Sequence, residues 1–329
     1  MRRFVIALTL ALALLGATSA SGGVASKSLT KLTLVAYSTP KEAFTKIIPA
    51  FQQTAAGKNI TFDQSYAASG EQARAVLNGL PADVLDLSLE PDMQELVKAG
   101  IVSKGWNRGP YKGMVTDSVV VFVVRSGNPK KIKEWGDLVR PGIEVITPNP
   151  FTSGGARWNV MAAYGAQLKL GKKPAEAQAY LLKLFKNVSV QDKSARDALN
   201  TFLSGKGDVL LTYENEAILA LKKGQQTPYV IPRSTILIEN PLAITNGKNQ
   251  TAAKAFYRFL YTPEAQRLFA QTGYRPVLKT VAAEFKFPPR PALFTIGFVG
   301  GWDKAQTSFF DPDNGIMAKI ERQVGGVTG

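Results

Sequence analysis

Apolar runs alternate with amphipathic stretches along most of this chain, and the two periods change places regularly. Residues 31–36 (Lys-Leu-Thr-Leu-Val-Ala) read as a buried strand. Residues 40–51 place Ala43, Ile47 and Phe51 on one face of a helix. Strands at 60–64 and 84–89 flank a helix at 69–77, and another helix runs towards Gly100. Residues 119–125 (Val-Val-Val-Phe-Val-Val-Arg) lack period-two alternation, which predicts a strand buried on both faces. The alternation then restarts. A short helix at 135–139 and a strand at 144–147 precede helices at 158–170 and 174–185. A strand at 187–190, a helix at 195–203 and a strand at 209–212 follow. Strands at 236–238 and 242–244 lead back to helices at 252–260 and 263–271, with a last helix at 316–323. Strands and helices in this order predict an α/β protein with mostly parallel sheets, in two lobes.

The N-terminus has a pattern of its own. Met1-Arg2-Arg3 precedes an apolar run at 4–15 and small residues at 16–20, which predicts a secretory signal peptide (1–20) cleaved after Ala20. No cysteine follows, so a lipid anchor on an N-terminal cysteine is not expected. The lobes are expected at 21–118 plus 234–329 and at 119–233. The chain has neither cysteine nor histidine, which removes disulfides, His-dependent triads and His/Cys zinc sites. No cofactor or metal is expected, and no enzyme activity. The net charge of +15 favours anionic partners, but Lys and Arg occur singly or in pairs without a nucleic-acid-binding motif. No nucleic-acid partner is therefore expected.

Three segments share one design, in which a strand end, a hydroxyl residue and a helix follow one another: Ser69-Gly70-Glu71-Gln72, Ser153-Gly154-Gly155-Ala156 and Ser194-Ala195-Arg196-Asp197. Ser69 with Gln72 reads as a capping box, and Ser194 has an acidic residue at the same spacing. Capping boxes are common, and each alone is an ordinary helix start. In open α/β sheets, however, helix N-termini at the carboxyl ends of strands face one crevice. Their free N–H groups and dipoles there suit an anion. Each bond to a charged acceptor contributes about 1.5–3 kcal/mol. A protonated oxyanion also needs an acceptor, and these core segments contain no carboxylate. Such a donor set selects a fully deprotonated anion such as sulfate over hydrogen phosphate. Arg157 and Arg196 read as braces that bond nearby carbonyls.

With these residues in view, the chain resembles the periplasmic sulfate-binding proteins of sulfate/thiosulfate ABC importers. The resemblance rests on Ser69-Gly70-Glu71-Gln72-Ala73, on 145–159 with its Thr-Pro-Asn-Pro and Ser-Gly-Gly-Ala-Arg-Trp-Asn, and on 207–217. Tyr274-Arg275-Pro276 and Gly300-Gly301-Trp302-Asp303 extend it towards the C-terminus. It implies a type II two-lobed binding fold, with crossing hinge strands and lobes that close on ligand. It implies sulfate ligation by Ser69, Gly70, Ser153, Gly154, Gly155 and Ala195, with Arg196 as a brace. It also implies a monomer that delivers to a membrane permease pair and its ATPase. Two positions depart from the family: Ser38 stands where an aspartate is usual, and Tyr213 where a tryptophan ring nitrogen donates. Both keep a hydrogen-bonding group. Thiosulfate, or another tetrahedral oxyanion such as molybdate, is the alternative ligand. An extracellular enzyme acting on sulfate or phosphate esters, a ferric-iron binder and a polyanion-binding surface protein are the competing classes. They lack, respectively, a visible nucleophile and base, a tandem tyrosine pair, and a basic run.

Overall fold

The computed structural model describes residues 29–289 and 292–328, so the expected cleavable segment 1–20 lies outside the described residues. The chain opens with β1 (Thr30–Tyr37), α1 (Lys41–Gln53), β2 (Ile60–Ala67), α2 (Ser69–Leu77), β3 (Val84–Asp86) and α3 (Glu90–Lys98). It crosses over on the long β4 (Met114–Val124) and builds β5 (Val145–Pro148), α4 (Gly154–Lys169), α5 (Pro174–Lys186), β6 (Val188–Asp192), α6 (Ala195–Leu203), β7 (Val209–Tyr213) and α7 (Glu214–Lys222). After β8 (Tyr229–Val230) it returns on an equally long β9 (Ser234–Ile244) to α8 (Gln250–Leu260) and α9 (Pro263–Gln271). The tail holds β10 (Arg275–Pro276), α10 (Lys279–Ala282), β11 (Ala292–Phe294), α11 (Gly301–Phe309) and α12 (Ile316–Val324).

The main strand order is β2-β1-β3-β9-β4-β7-β5-β6. Strands β1, β2 and β3 are mutually parallel where paired, as are β5, β6 and β7. The crossing strands β9 and β4 run antiparallel to β3, to β7 and to each other. The fold is thus two parallel half-sheets joined by a crossed pair, which is the type II arrangement. The two strands read at 236–238 and 242–244 are one. Glu239, Asn240 and Pro241 between them pair with β4, and on the β3 side the Pro241 carbonyl accepts the Leu87 amide at 3.0 Å.

β4 explains the absence of alternation in its sequence. Val120, Phe122 and Val124 enter one core with α4 and the C-terminal helices, whereas Val119, Val121 and Val123 enter another with α6 and α7. Both faces are dry, so both carry apolar side chains. α4 is buried nearly all round for a related reason. Trp158 packs edge-on to Trp302 at 4.6 Å and Tyr164 to Phe309 at 4.7 Å, so α11 covers its outer side. α12 lies against α5, Asn149 donates to the Val327 carbonyl, and α11 also touches α3, so the C-terminal segment packs on both halves. Among the described residues no helix is long and apolar enough to cross a membrane.

Candidate functional site

The starts of α2, α4 and α6 meet around Ser88, in the turn between β3 and α3. A Cβ added to Gly154 would lie 2.5 Å from Ser88 Oγ, so the α4 backbone touches the opposite half of the molecule there. One added to Gly155 would lie 2.7 Å from the Tyr213 ring and 3.3 Å from the Ala195 Cβ. One added to Gly70 would lie 3.1 Å from the Thr152 carbonyl. Ser69, Gly70, Ser153, Gly154, Gly155, Ala195 and Tyr213 therefore gather at one place, and all are buried. The glycines permit the close approach of backbones that leaves helix N–H groups bare.

The three helix starts differ in how they are capped. Ser153 is the N-cap of α4 and accepts the Ala156 amide at 3.4 Å. Ser194 caps α6 by accepting the Asp197 amide at 3.2 Å, and its hydroxyl donates to Asp197 Oδ2 at 2.7 Å. Ser69 does not cap α2, and the capping box expected with Gln72 is not formed. Ala68 is the N-cap, and Gln72 instead donates to Ser65 and to the Ala36 carbonyl. Its engagement with β1 and β2 frees Ser69 to turn inward. There Ser69 Oγ accepts the Ser88 amide at 2.9 Å and lies 2.5 Å from Asp92 Oδ2.

Ser88 engages every polar atom it has, and its carbonyl and hydroxyl reach the other half. Its amide reaches Ser69, its carbonyl accepts Trp158 Nε1 at 3.0 Å and Asn240 Nδ2 at 3.3 Å, and its hydroxyl shares a 2.5 Å hydrogen bond with the Tyr213 hydroxyl. Burial holds the Tyr213 phenol well above its ordinary value, so it stays protonated and able to donate. Tyr37 and Thr39, at the end of β1, bond the Tyr274 hydroxyl at 3.2 and 2.6 Å. Ser38 is not part of the buried group. It is half-buried and lines a cleft of about 480 Å³ with Ala68, Ser194, Arg196, Lys41 and Lys223.

Two arginines flank these helix starts: a Cβ added to Gly70 would lie 3.3 Å from Arg74 Nη1, and Arg157 Nη1 lies 3.8 Å from Asp92 Oδ1. Arg157 spends its hydrogen bonds on the Pro150 carbonyl and on Gln306. Arg196 makes two bonds to Glu216 on its own half, then reaches Glu42 at 2.7 Å and the Thr39 carbonyl on the other. Lys223 joins Glu42 at 2.7 Å. Glu42 thus ties α1 to α6 and α7 across the cleft. Among the described residues, no group of three or more acidic, histidine or cysteine side chains could hold a metal ion.

Ser88 and Asp92 were missing from the sequence reading. The strand read at 84–89 ends at Asp86, and Ser88 follows the same strand-end, hydroxyl, helix order as the other three, with Pro91 marking an early helix position. That proline was the available signal.

A crevice closed between two α/β halves, lined by helix starts and hydroxyls, is the architecture of a solute-binding protein. Residues 32–275 match the model of the family described as bacterial extracellular solute-binding protein. The chain is 42% identical to a sulfate-binding protein of Synechococcus elongatus, with 94% of this chain and 91% of that one covered. It is 34% identical to a thiosulfate-binding protein of Pseudomonas aeruginosa, with 93% and 96% covered. The structure of the sulfate-binding protein SubI from Mycobacterium tuberculosis superposes with a TM-score of 0.82 at 45% identity, covering 84% of this chain and 98% of that one. The chain belongs to the bacterial extracellular solute-binding proteins, in the family of the sulfate-binding proteins.

Proposed function

We propose that this chain is the exported solute-binding component of an ABC importer and that it captures sulfate between its two lobes. The observation that carries the reading is the meeting of the α2, α4 and α6 starts around Ser88, where the glycines bring helix backbone and the Ser69 and Tyr213 hydroxyls together. Bare N–H groups and hydroxyls there offer an anion several charge-assisted bonds at once. In this reading Ser69, Gly70, Ser153, Gly154, Gly155, Ala195 and Tyr213 surround the ligand, Ser38 sits at its entrance, and Arg157 and Arg196 hold the loops in place. The hinge lies where the chain crosses at 118–119 and 233–234. The mature protein is a periplasmic monomer that hands its cargo to a permease pair driven by an ATPase.

Likeness to sulfate-binding relatives at about the same coverage, and more weakly to a thiosulfate-binding one, supports sulfate first and thiosulfate second. The family is one of solute binders rather than enzymes. A thermal-shift panel of sulfate, thiosulfate, molybdate, phosphate and ferric citrate tests ligand and class together. Stabilisation by sulfate is expected. A shift with ferric citrate and none with sulfate refutes the reading, and a larger shift with thiosulfate moves the assignment to that ligand.

A further inference from the structure

The hydrogen bonds around Ser69 leave its proton with one place to go. Ser69 Oγ accepts the Ser88 amide at 2.9 Å and lies 2.5 Å from Asp92 Oδ2, a buried carboxyl oxygen. A serine hydroxyl has one proton to give. If Asp92 is ionised, that proton is held by Asp92, and Ser69 turns a lone pair towards the crevice, where it repels an oxyanion. If Asp92 carries a proton, it donates to Ser69 Oγ, and the Ser69 proton is released for the ligand. We propose that Asp92 is the proton partner of Ser69, protonated whenever Ser69 donates to a bound tetrahedral oxyanion, so that ligand capture takes up a proton. This deepens the sulfate reading and rests on it. The bookkeeping is one proton from solvent to Asp92, with the Ser69 hydroxyl reoriented from Asp92 to the anion.

The surroundings of Asp92 favour that exchange. Burial on α3 pushes its carboxyl up, against the opposing pull of Arg157, the Ser69 hydrogen bond and Arg74. Arg157, on α4, approaches only to 3.8 Å and spends its bonds on Pro150 and Gln306 of α11. Arg74 acts from α2, where its guanidinium lies beside Gly70. Glu95, one turn along α3, is itself raised by burial and by the Asp92 charge, and Tyr213 feels that charge from β7. A dianion entering the crevice adds a further negative field at Asp92, which favours the protonated form.

The chain makes the experiment unusually clean, because it has no histidine and no cysteine to titrate near neutrality. Sulfate itself stays a dianion throughout. Calorimetry of the full mature protein with sulfate, between pH 5 and 9 in cacodylate, imidazole and Tris, reads proton uptake from the dependence of the heat on buffer ionisation enthalpy. Uptake approaching one proton per sulfate is expected at the alkaline end, with affinity falling at least tenfold across the range. The variant D92N carries an amide that donates to Ser69 at every pH, so its affinity should be constant across the range and its uptake zero. Wild-type binding with no uptake and no pH dependence overturns the proposal, as does D92N that keeps the wild-type pH profile, since other raised carboxyls such as Glu95 and Asp86 would then be responsible. Absence of sulfate binding at every pH is a different result and removes the functional reading instead.

Discussion

Gly154 and Gly155 are neighbours in sequence, yet adding a methyl to each should do opposite things. A Cβ on Gly154 would meet Ser88 Oγ at 2.5 Å, Ser88 Cβ at 2.6 Å and Leu89 Cγ at 2.9 Å, all on the first lobe. A Cβ on Gly155 would meet Tyr213 Cε2 at 2.7 Å and Ala195 Cβ at 3.3 Å, both on the second lobe with Gly155 itself. Neither glycine has a positive φ, so alanine is acceptable to the backbone, and in a helix it is preferred. In Gly154→Ala the clash exists only when the lobes are closed. Overpacking of this kind costs about 1–3 kcal/mol, which raises the sulfate Kd roughly fivefold to 150-fold. The ligand-free protein can open and escape the clash, so its thermal unfolding should be unchanged or slightly higher. In Gly155→Ala the clash is present in the open protein too, and a loss of about 1–3 kcal/mol should appear in ligand-free stability. Calorimetry and ligand-free urea unfolding on both variants read the two effects separately. If Gly154→Ala binds sulfate as the wild type does, or loses ligand-free stability as Gly155→Ala does, the assignment of this contact to lobe closure is wrong.

Three further substitutions test other parts of the molecule. Ser153→Ala should weaken sulfate binding by about 1.5–3 kcal/mol, tenfold or more by calorimetry, because a charge-assisted bond is lost. Glu42→Gln removes the carboxylate shared by Arg196 and Lys223. The pair is partly solvated, so the loss of affinity should stay near 0.2–1 kcal/mol, under about fivefold. Burial raises the Glu42 carboxyl, but hydrogen bonds from Arg196 and Lys223 outweigh it and hold it below its ordinary value. Its contribution is therefore complete above the ordinary glutamate range and is lost as pH falls through the lowered value. This trend opposes the one expected from Asp92, so affinity measured against pH in Glu42→Gln should keep the alkaline decline and lose the acid one. Arg275→Met strips the two bonds, at 2.6 and 2.8 Å, that reach the fully buried Glu214. Removing one partner of such a pair costs about 3–5 kcal/mol, to be read as a lower urea midpoint.

Much of the architecture was open to inspection in the sequence because it depends on local periods. α2, α6 and α9 begin and end where apolar spacing and turn residues put them. The buried double face of β4 follows from an apolar run without alternation. The errors arise where local and distant demands compete. The strand at 84–89 looked continuous because Leu85, Leu87 and Leu89 alternate with Asp86 and Ser88, but the paired register with β1 and β9 ends at Asp86, with one further bond from the Leu87 amide to Pro241. α7 went unread because Glu214, Asn215 and Glu216 look like a polar loop. In the fold Glu214 and Glu216 are buried, each answered by an arginine far along the chain, Arg275 and Arg196.

Ser69 shows the same competition at the candidate site. A serine three residues before a glutamine satisfies every local rule for a capping box, and the local reading fails because β1 and β2 claim the glutamine first. The hydroxyl that is left over meets Ser88 and Asp92, which lie 19 and 23 residues away and come into reach only when α3 folds back beside α2. The donors of the crevice were visible because helix starts are written locally. The carboxyl that decides what one of those donors can give was not, because its position is a property of packing. Its absence from the three hydroxyl segments therefore said nothing about its absence from the site, and on the proposed reading a preference for a deprotonated anion rests on the protonation of Asp92 rather than on a lack of acceptors.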